Sequence, residues 1–140
     1  MKLIRREFLL WVGAAASAST IPAAWAQAGP KLTQVLRKDL QGQAEKVQES
    51  VVSVVEFGPG SAAPLHMHPG AQEILYALEG SLVVEMAGQA AATIKAGEAA
   101  VIPADVAHLA RNESTSASAK ALVVHSRSDK SKPLVVAVKV

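Results

Sequence analysis

The chain has 140 residues, with 14 Lys plus Arg against 12 Asp plus Glu and a formal charge of +2. It contains no cysteine, which excludes disulfide staples and thiolate metal ligands. Only five residues are aromatic (two Trp, two Phe and one Tyr), too few for a stacking surface of the kind that binds sugars or bases.

The first 27 residues read MKLIRREFLLWVGAAASASTIPAAWAQ. Basic Lys2, Arg5 and Arg6 precede an apolar run from Phe8 to about Ala18, and Ala24-Trp25-Ala26 supplies small residues at a cleavage position. This pattern predicts a secretory signal cut before Gln27. The alternative, an anchored helix, needs about 20 apolar residues, and this run is shorter. Arg5-Arg6-Glu7-Phe8-Leu9 also resembles the twin-arginine export signal, with Ile4 where Ser or Thr is usual. That route implies a periplasmic or secreted protein that crosses the membrane folded, with any metal bound before export. Cleavage removes three basic groups and one acidic group, leaving 14 − 3 = 11 against 12 − 1 = 11. Residues 27–140 are therefore predicted to form a single neutral domain with no electrostatic footprint for nucleic acid or anionic membrane.

After the signal, 33–40 has the look of a first short strand and 41–48 reads as a polar loop. Ser50 to Phe57, dense in valine, is a strand stopped by Gly58-Pro59-Gly60. Strand-like runs recur at 72–78, 81–87, 90–95, 98–103, 107–112, 119–126 and 133–139. Gly80, Gly88, Ala96-Gly97 and a serine-rich stretch from Asn112 to Ser118 separate most of them. Alanine is abundant, yet no window longer than about ten residues keeps helical spacing without a glycine or proline. Many short strands at regular spacing predict an all-β sandwich or barrel.

The segment GPGSAAPLHMHPGAQEILYALEG, Gly58 to Gly80, holds two of the four histidines. On a strand, His66 and His68 project from one face while Met67 turns away. Glu73 follows after the Pro69-Gly70 turn. Two imidazoles and a carboxylate form a ligand set for a divalent ion with positions left open, and His108 offers a fourth ligand. Taken alone, the His-x-His pair also fits a solvated loop, and Glu73 a solvated carboxylate.

The wider pattern resembles the cupin family. Its first motif is glycine, five residues, His-x-His, three or four residues, Glu, six residues and glycine, matched by Gly60, His66, His68, Glu73 and Gly80. Its second is glycine, five residues, Pro-x-Gly, two residues, His, three residues and Asn, matched by Gly97, Pro103, His108 and Asn112. Asp105 stands where the second motif has glycine. Asp tolerates positive φ better than most residues, so a slightly strained turn and an intact site are expected. The resemblance implies a single jelly-roll-like β-barrel and a homodimer. It also implies one divalent metal (Fe, Mn, Ni, Cu or Zn) held by His66, His68, Glu73 and His108.

His125 belongs to neither motif and is expected at the surface or beside a ligand. Met86 is expected in the core, and Tyr76 at a surface or interface, because alternation from Glu73 puts 75 and 77 on the metal face. Three readings of function follow. The leading one is a metal-dependent enzyme acting on a small oxygenated organic molecule, with dioxygenase-type oxidation favoured. A non-catalytic periplasmic protein binding a metal or small ligand is the second. The third is an assembly partner whose metal only stabilises the fold.

Overall fold

The computed structural model describes residues 33–139, so the expected signal and its cleavage site lie outside the described residues. Nine strands follow one another: β1 (Glu49–Phe57), β2 (His66–Met67), β3 (Ala71–Glu79), β4 (Ser81–Met86), β5 (Ala92–Lys95), β6 (Ala99–Ile102), β7 (His108–Arg111), β8 (Ala119–Arg127) and β9 (Val136–Ala137). A single 3-10 turn at Gln43–Lys46 interrupts the otherwise polar 41–48 segment. Among the described residues no helix is long and apolar enough to cross a membrane.

The strands form two antiparallel sheets. One has four strands in the order β1-β8-β3-β6, and the other five in the order β5-β4-β7-β2-β9. The expected barrel is thus built as two sheets, and no ladder among the described residues joins them into a continuous ring. Period-two alternation drives this arrangement. In β3 and β8 every second side chain is buried, so each strand offers one apolar face to the interior.

The core draws on both sheets. Leu75, Ala77, Ile102, Ala121 and Val123 from the first meet Leu82, Val84, Ile94 and Ala110 from the second. Leu82, Ile102 and Val84 are the largest fully buried side chains, each contributing about 1.5–3 kcal/mol by leaving water. Met86 packs against this core as expected. Tyr76 lies half-buried on the outer face of β3.

Two expectations change. Residues 33–40 form no strand, because Arg37, Lys38 and Asp39 break the alternation a sheet edge rewards. The run at 133–139 contracts to the two residues of β9. The strand on which His66 and His68 were placed is short, only His66–Met67, and pairs with β7 on one side and β9 on the other.

Gly80 closes the β3–β4 hairpin at φ 68°, just after a register shift in the β3–β8 ladder. A Cβ there would lie 3.0 Å from the Ser118 carbonyl and 3.1 Å from Ala119. Gly97 also has positive φ, 88°, but open space around it. Gly97→Ala is therefore expected to cost about 1–2 kcal/mol from backbone strain alone. Gly80→Ala adds a clash with backbone and should cost more than Gly97→Ala in paired urea denaturations. Equal costs would show that the close approach at Gly80 is not a constraint.

Candidate metal centre

The site is assembled from two cross-strand pairs, one from each sheet. In the five-stranded sheet His66 of β2 faces His108 of β7 directly. In the four-stranded sheet Glu73 of β3 faces His125 of β8. His68 stands in the link between β2 and β3, joining the two halves.

The turn that carries His68 is pinned by the residue that departs from the motif. Asp105 adopts φ 64°, the left-handed conformation expected for it. Its Oδ1 accepts the Gly70 N–H at 3.0 Å. Its own N–H donates to the His68 carbonyl at 3.2 Å, which also receives the Ala71 N–H at 3.1 Å. Asp105 thus replaces a glycine at the cost of some strain and in return ties the β6–β7 turn to the loop holding His68. Asn112 serves the far end of β7, where its Nδ2 lies within hydrogen-bond distance of the Phe57, Gly58 and Ala117 carbonyls.

Each of the three predicted histidine ligands has its Nδ1 against a main-chain carbonyl. His66 reaches Pro64 at 2.7 Å, His68 reaches Leu134 at 2.7 Å and His108 reaches Val106 at 2.9 Å. A carbonyl oxygen only accepts, so Nδ1 must carry the proton and Nε2 of the neutral ring is a bare lone pair. These lone pairs converge with the Glu73 carboxylate, and all four ligand atoms lie within 4.8 Å of one another. His68 Nε2 is 2.8 Å and His108 Nε2 3.3 Å from Glu73 Oε2. Two lone pairs at such distances repel unless a cation lies between them. Ligand atoms about 2.1 Å from one ion and at right angles sit about 3 Å apart, so the spacing suits a single divalent metal. The residues present therefore fit the ion that the sequence implies.

Electrostatics agree. Burial opposes ionisation of Glu73, yet the imidazoles of His108, His125 and His68 packed around it hold its carboxyl well below the usual carboxylate range. Burial acts on His68 too, but the bonds to Glu73 and to the Leu134 carbonyl raise its pKa above 6.5. At His66 burial dominates and lowers the pKa, helped by nearby His108 and His68. In a metal-free site a proton therefore resides on His68 in preference to His66.

His125 is the residue the sequence placed least well. It is buried, at 7% exposure, so the surface alternative fails. Its Nε2 is 3.3 Å from Glu73 Oε2 and 3.2 Å from His68 Nε2, while its Nδ1 is buried without a partner. With no acceptor at Nδ1, the ring places its proton on Nε2 and donates to Glu73. It thus orients a ligand and stands outside the four that converge. The signal was present in β8, where Ala119, Ala121 and Val123 share its inward parity.

Two predictions follow from these contacts. Metal must displace the proton held by His68, so affinity falls as pH drops through the raised His68 pKa. The metal-free fold has the opposite trend: the His68 contribution is full below 6.5 and is lost as pH rises through its folded pKa. Glu73 stays ionised across this window, since its contribution is lost only far below 4.5. Adding a chelator should therefore lower Tm strongly at about pH 8 and little at about pH 5. An equal effect at both would contradict competition between the metal and the His68 proton. His125→Gln should keep the metal but weaken its binding about 10- to 100-fold in a chelator competition, as loss of a ligand's hydrogen-bond partner does. Complete loss of metal would instead make His125 a ligand.

Comparison with known proteins agrees with the geometry. A germin-like protein of Arabidopsis thaliana (subfamily 2 member 2) is 38% identical over 66 residues, covering 44% of this chain and 30% of that protein. The matched region thus spans less than a third of that relative. An oxalate oxidase structure superposes with a TM-score of 0.56 at 29% identity, covering 64% of this chain and 46% of that one. A DMSP lyase from Ruegeria pomeroyi DSS-3 does so with a TM-score of 0.56 at 27% identity, covering 64% and 43%. The family model of the cupin domain matches residues 53–125, which include both sheets' contributions to the site, and the chain belongs to the cupin family.

Proposed function

We propose that this protein is an exported cupin that holds one divalent metal through His66, His68, Glu73 and His108. In this reading it is an enzyme acting on a small oxygenated organic acid, with dioxygenase-type oxidation as the favoured chemistry. The single observation that carries the metal reading is the set of three Nδ1–carbonyl bonds, which leave three Nε2 lone pairs beside one carboxylate. Similarity to an oxalate oxidase supports the substrate class. Similarity to a DMSP lyase shows that this scaffold also carries other reactions. Export rests on the Arg5-Arg6 signal pattern alone.

When bound, a divalent ion supplies Lewis acidity and, for a redox-active metal, electron transfer. Three neutral imidazoles and one carboxylate leave such an ion with about one net positive charge, which favours an anionic oxygen ligand. His66 is the most exposed of the four, so a substrate approaches from its side. Glu73 pairs across the sheet with fully buried Ile102, an apolar wall that keeps water from the opposite side.

A second reading is a non-catalytic binding protein for a metal or small ligand. The depth of the cluster supports it, because His68, Glu73 and His108 are 3%, 5% and 3% exposed. Elemental analysis of the purified protein, followed by oxygen uptake with oxalate, other small acids, diketones and flavonoids, separates the two. The enzyme reading predicts near one equivalent of metal and saturable uptake with one class, both lost in His66→Ala and His108→Ala. Metal with saturable ligand binding and no turnover favours the binding protein. A well-folded protein without metal overturns the enzyme reading and leaves a barrel that binds a small ligand.

A further inference from the structure

The carbonyls that fix the three ligand rings are not alike. His66 and His108 bond to Pro64 and Val106, each two residues back, so the backbone that places the ring also places its acceptor. His68 bonds to Leu134, 66 residues away, in the stretch between β8 and β9 that belongs to neither strand. His68 also faces the sharpest competition for its proton. Its Nε2 lies 2.8 Å from Glu73 Oε2, and an N–H given to a carboxylate makes a stronger bond than one given to a neutral carbonyl. A Leu134 carbonyl that drifts away hands the proton to Nε2 and removes a lone pair from the cluster.

Arg127 anchors that stretch. It ends β8 with the inward parity of Val123 and His125, opposite Glu49 of β1 and Ala71 of β3. Its Nε donates to Glu49 Oε2 at 2.5 Å, and its Nη2 reaches the same oxygen. With that edge of the guanidinium fixed, Nη1 donates to the Lys132 carbonyl at 2.9 Å. Pro133 joins Lys132 to Leu134. Its ring sets φ at about −65° and biases Lys132 toward extended backbone, so the link between the two carbonyls is stiff. Beyond Leu134, β9 pairs with β2, and the Val138 N–H donates to the Leu65 carbonyl at 3.0 Å. Leu134 is thus held by Arg127 before it and by β2 after it.

We propose that Arg127 is a positioning residue for His68: oriented by Glu49, it holds the Lys132–Leu134 segment so that the Leu134 carbonyl keeps the His68 proton on Nδ1. Arg127, Lys132 and Leu134 all lie beyond the residues 53–125 that match the cupin domain, so a segment outside the shared domain completes the site. A lysine at 127 would keep the charge and lose the planar fork that bonds a carboxylate and a carbonyl at once. The effect on affinity rests on the metal reading above, whereas the tautomer is a property of the metal-free protein.

Nitrogen-15 NMR of the metal-free protein at alkaline pH, with the rings neutral, reads the tautomers. The wild type should carry the His68 proton on Nδ1. Arg127→Gln and Arg127→Lys should each move it toward Nε2, leave His66 and His108 unchanged, and weaken zinc binding about tenfold in a chelator competition, the lower end of what loss of a ligand's own partner costs. Lys120→Met breaks the ion pairs to Glu56 and Glu79 at the other end of β8 and should change neither tautomer nor affinity. If one Arg127 variant does not fold, the other decides. The proposal is overturned by a wild-type His68 protonated on Nε2, or by an unchanged His68 in a folded Arg127 variant. It is equally overturned if all three rings shift together, if Lys120→Met has the same effect, or if neither Arg127 variant folds, since Arg127 would then serve the strand or the whole fold. Wild-type protein that binds no zinc would contradict the metal reading alone, because the tautomers decide the role of Arg127.

Discussion

Three imidazole rings give their Nδ1–H groups to the carbonyls of Pro64, Leu134 and Val106, and the remaining chemistry of the molecule depends on those bonds. They set the tautomer, and the tautomer decides that lone pairs face one another around Glu73. In the other tautomer Nε2–H groups would bond to the carboxylate and leave no ligand for a cation. The fold therefore shapes a cluster that could hold a metal through its backbone as much as through the residues it places there.

Burying three histidines and a carboxylate beside half-buried His66 is unfavourable unless every polar atom is partnered. Backbone carbonyls satisfy the Nδ1 side of three rings, and a cation shared with Glu73 would satisfy the Nε2 side. His125 is the exception, since its Nδ1 has no partner, and it is held by its Nε2 contact with Glu73. The two sheets divide the work. One delivers His66 and His108 as a cross-strand pair, the other Glu73 and His125, and the Asp105-bound turn sets His68 between them. A change in sheet separation would move one pair against the other, so the apolar core between the sheets also fixes the ligand spacing.

Much of this was legible in the sequence. Valine-rich alternation marked β1 and β8, glycines marked the turns, and motif spacing named four residues that do converge. Positive φ at Asp105 followed from side-chain chemistry. What failed were features set by tertiary contact. The strand read at His66 stops after two residues, a length set by its pairing with β7 and β9. Residues 33–40 have apolar content without alternation. The alternation of β8 marked His125 as inward-facing, and of its two expected places the one beside a ligand holds, through a β8–β3 pairing that bridges more than fifty residues at that point.

The most direct test is the protonation state of the ring nitrogens. Nitrogen-15 NMR of the histidine side chains in metal-free protein, at a pH above the raised His68 pKa, assigns each proton to Nδ1 or Nε2. The geometry predicts protonated Nδ1 and bare Nε2 for His66, His68 and His108, with the opposite tautomer for His125, and loss of the three bare Nε2 signals when metal is added. Protonated Nε2 on any two of those three would contradict the account, because the lone pairs that hold the ion would then not exist.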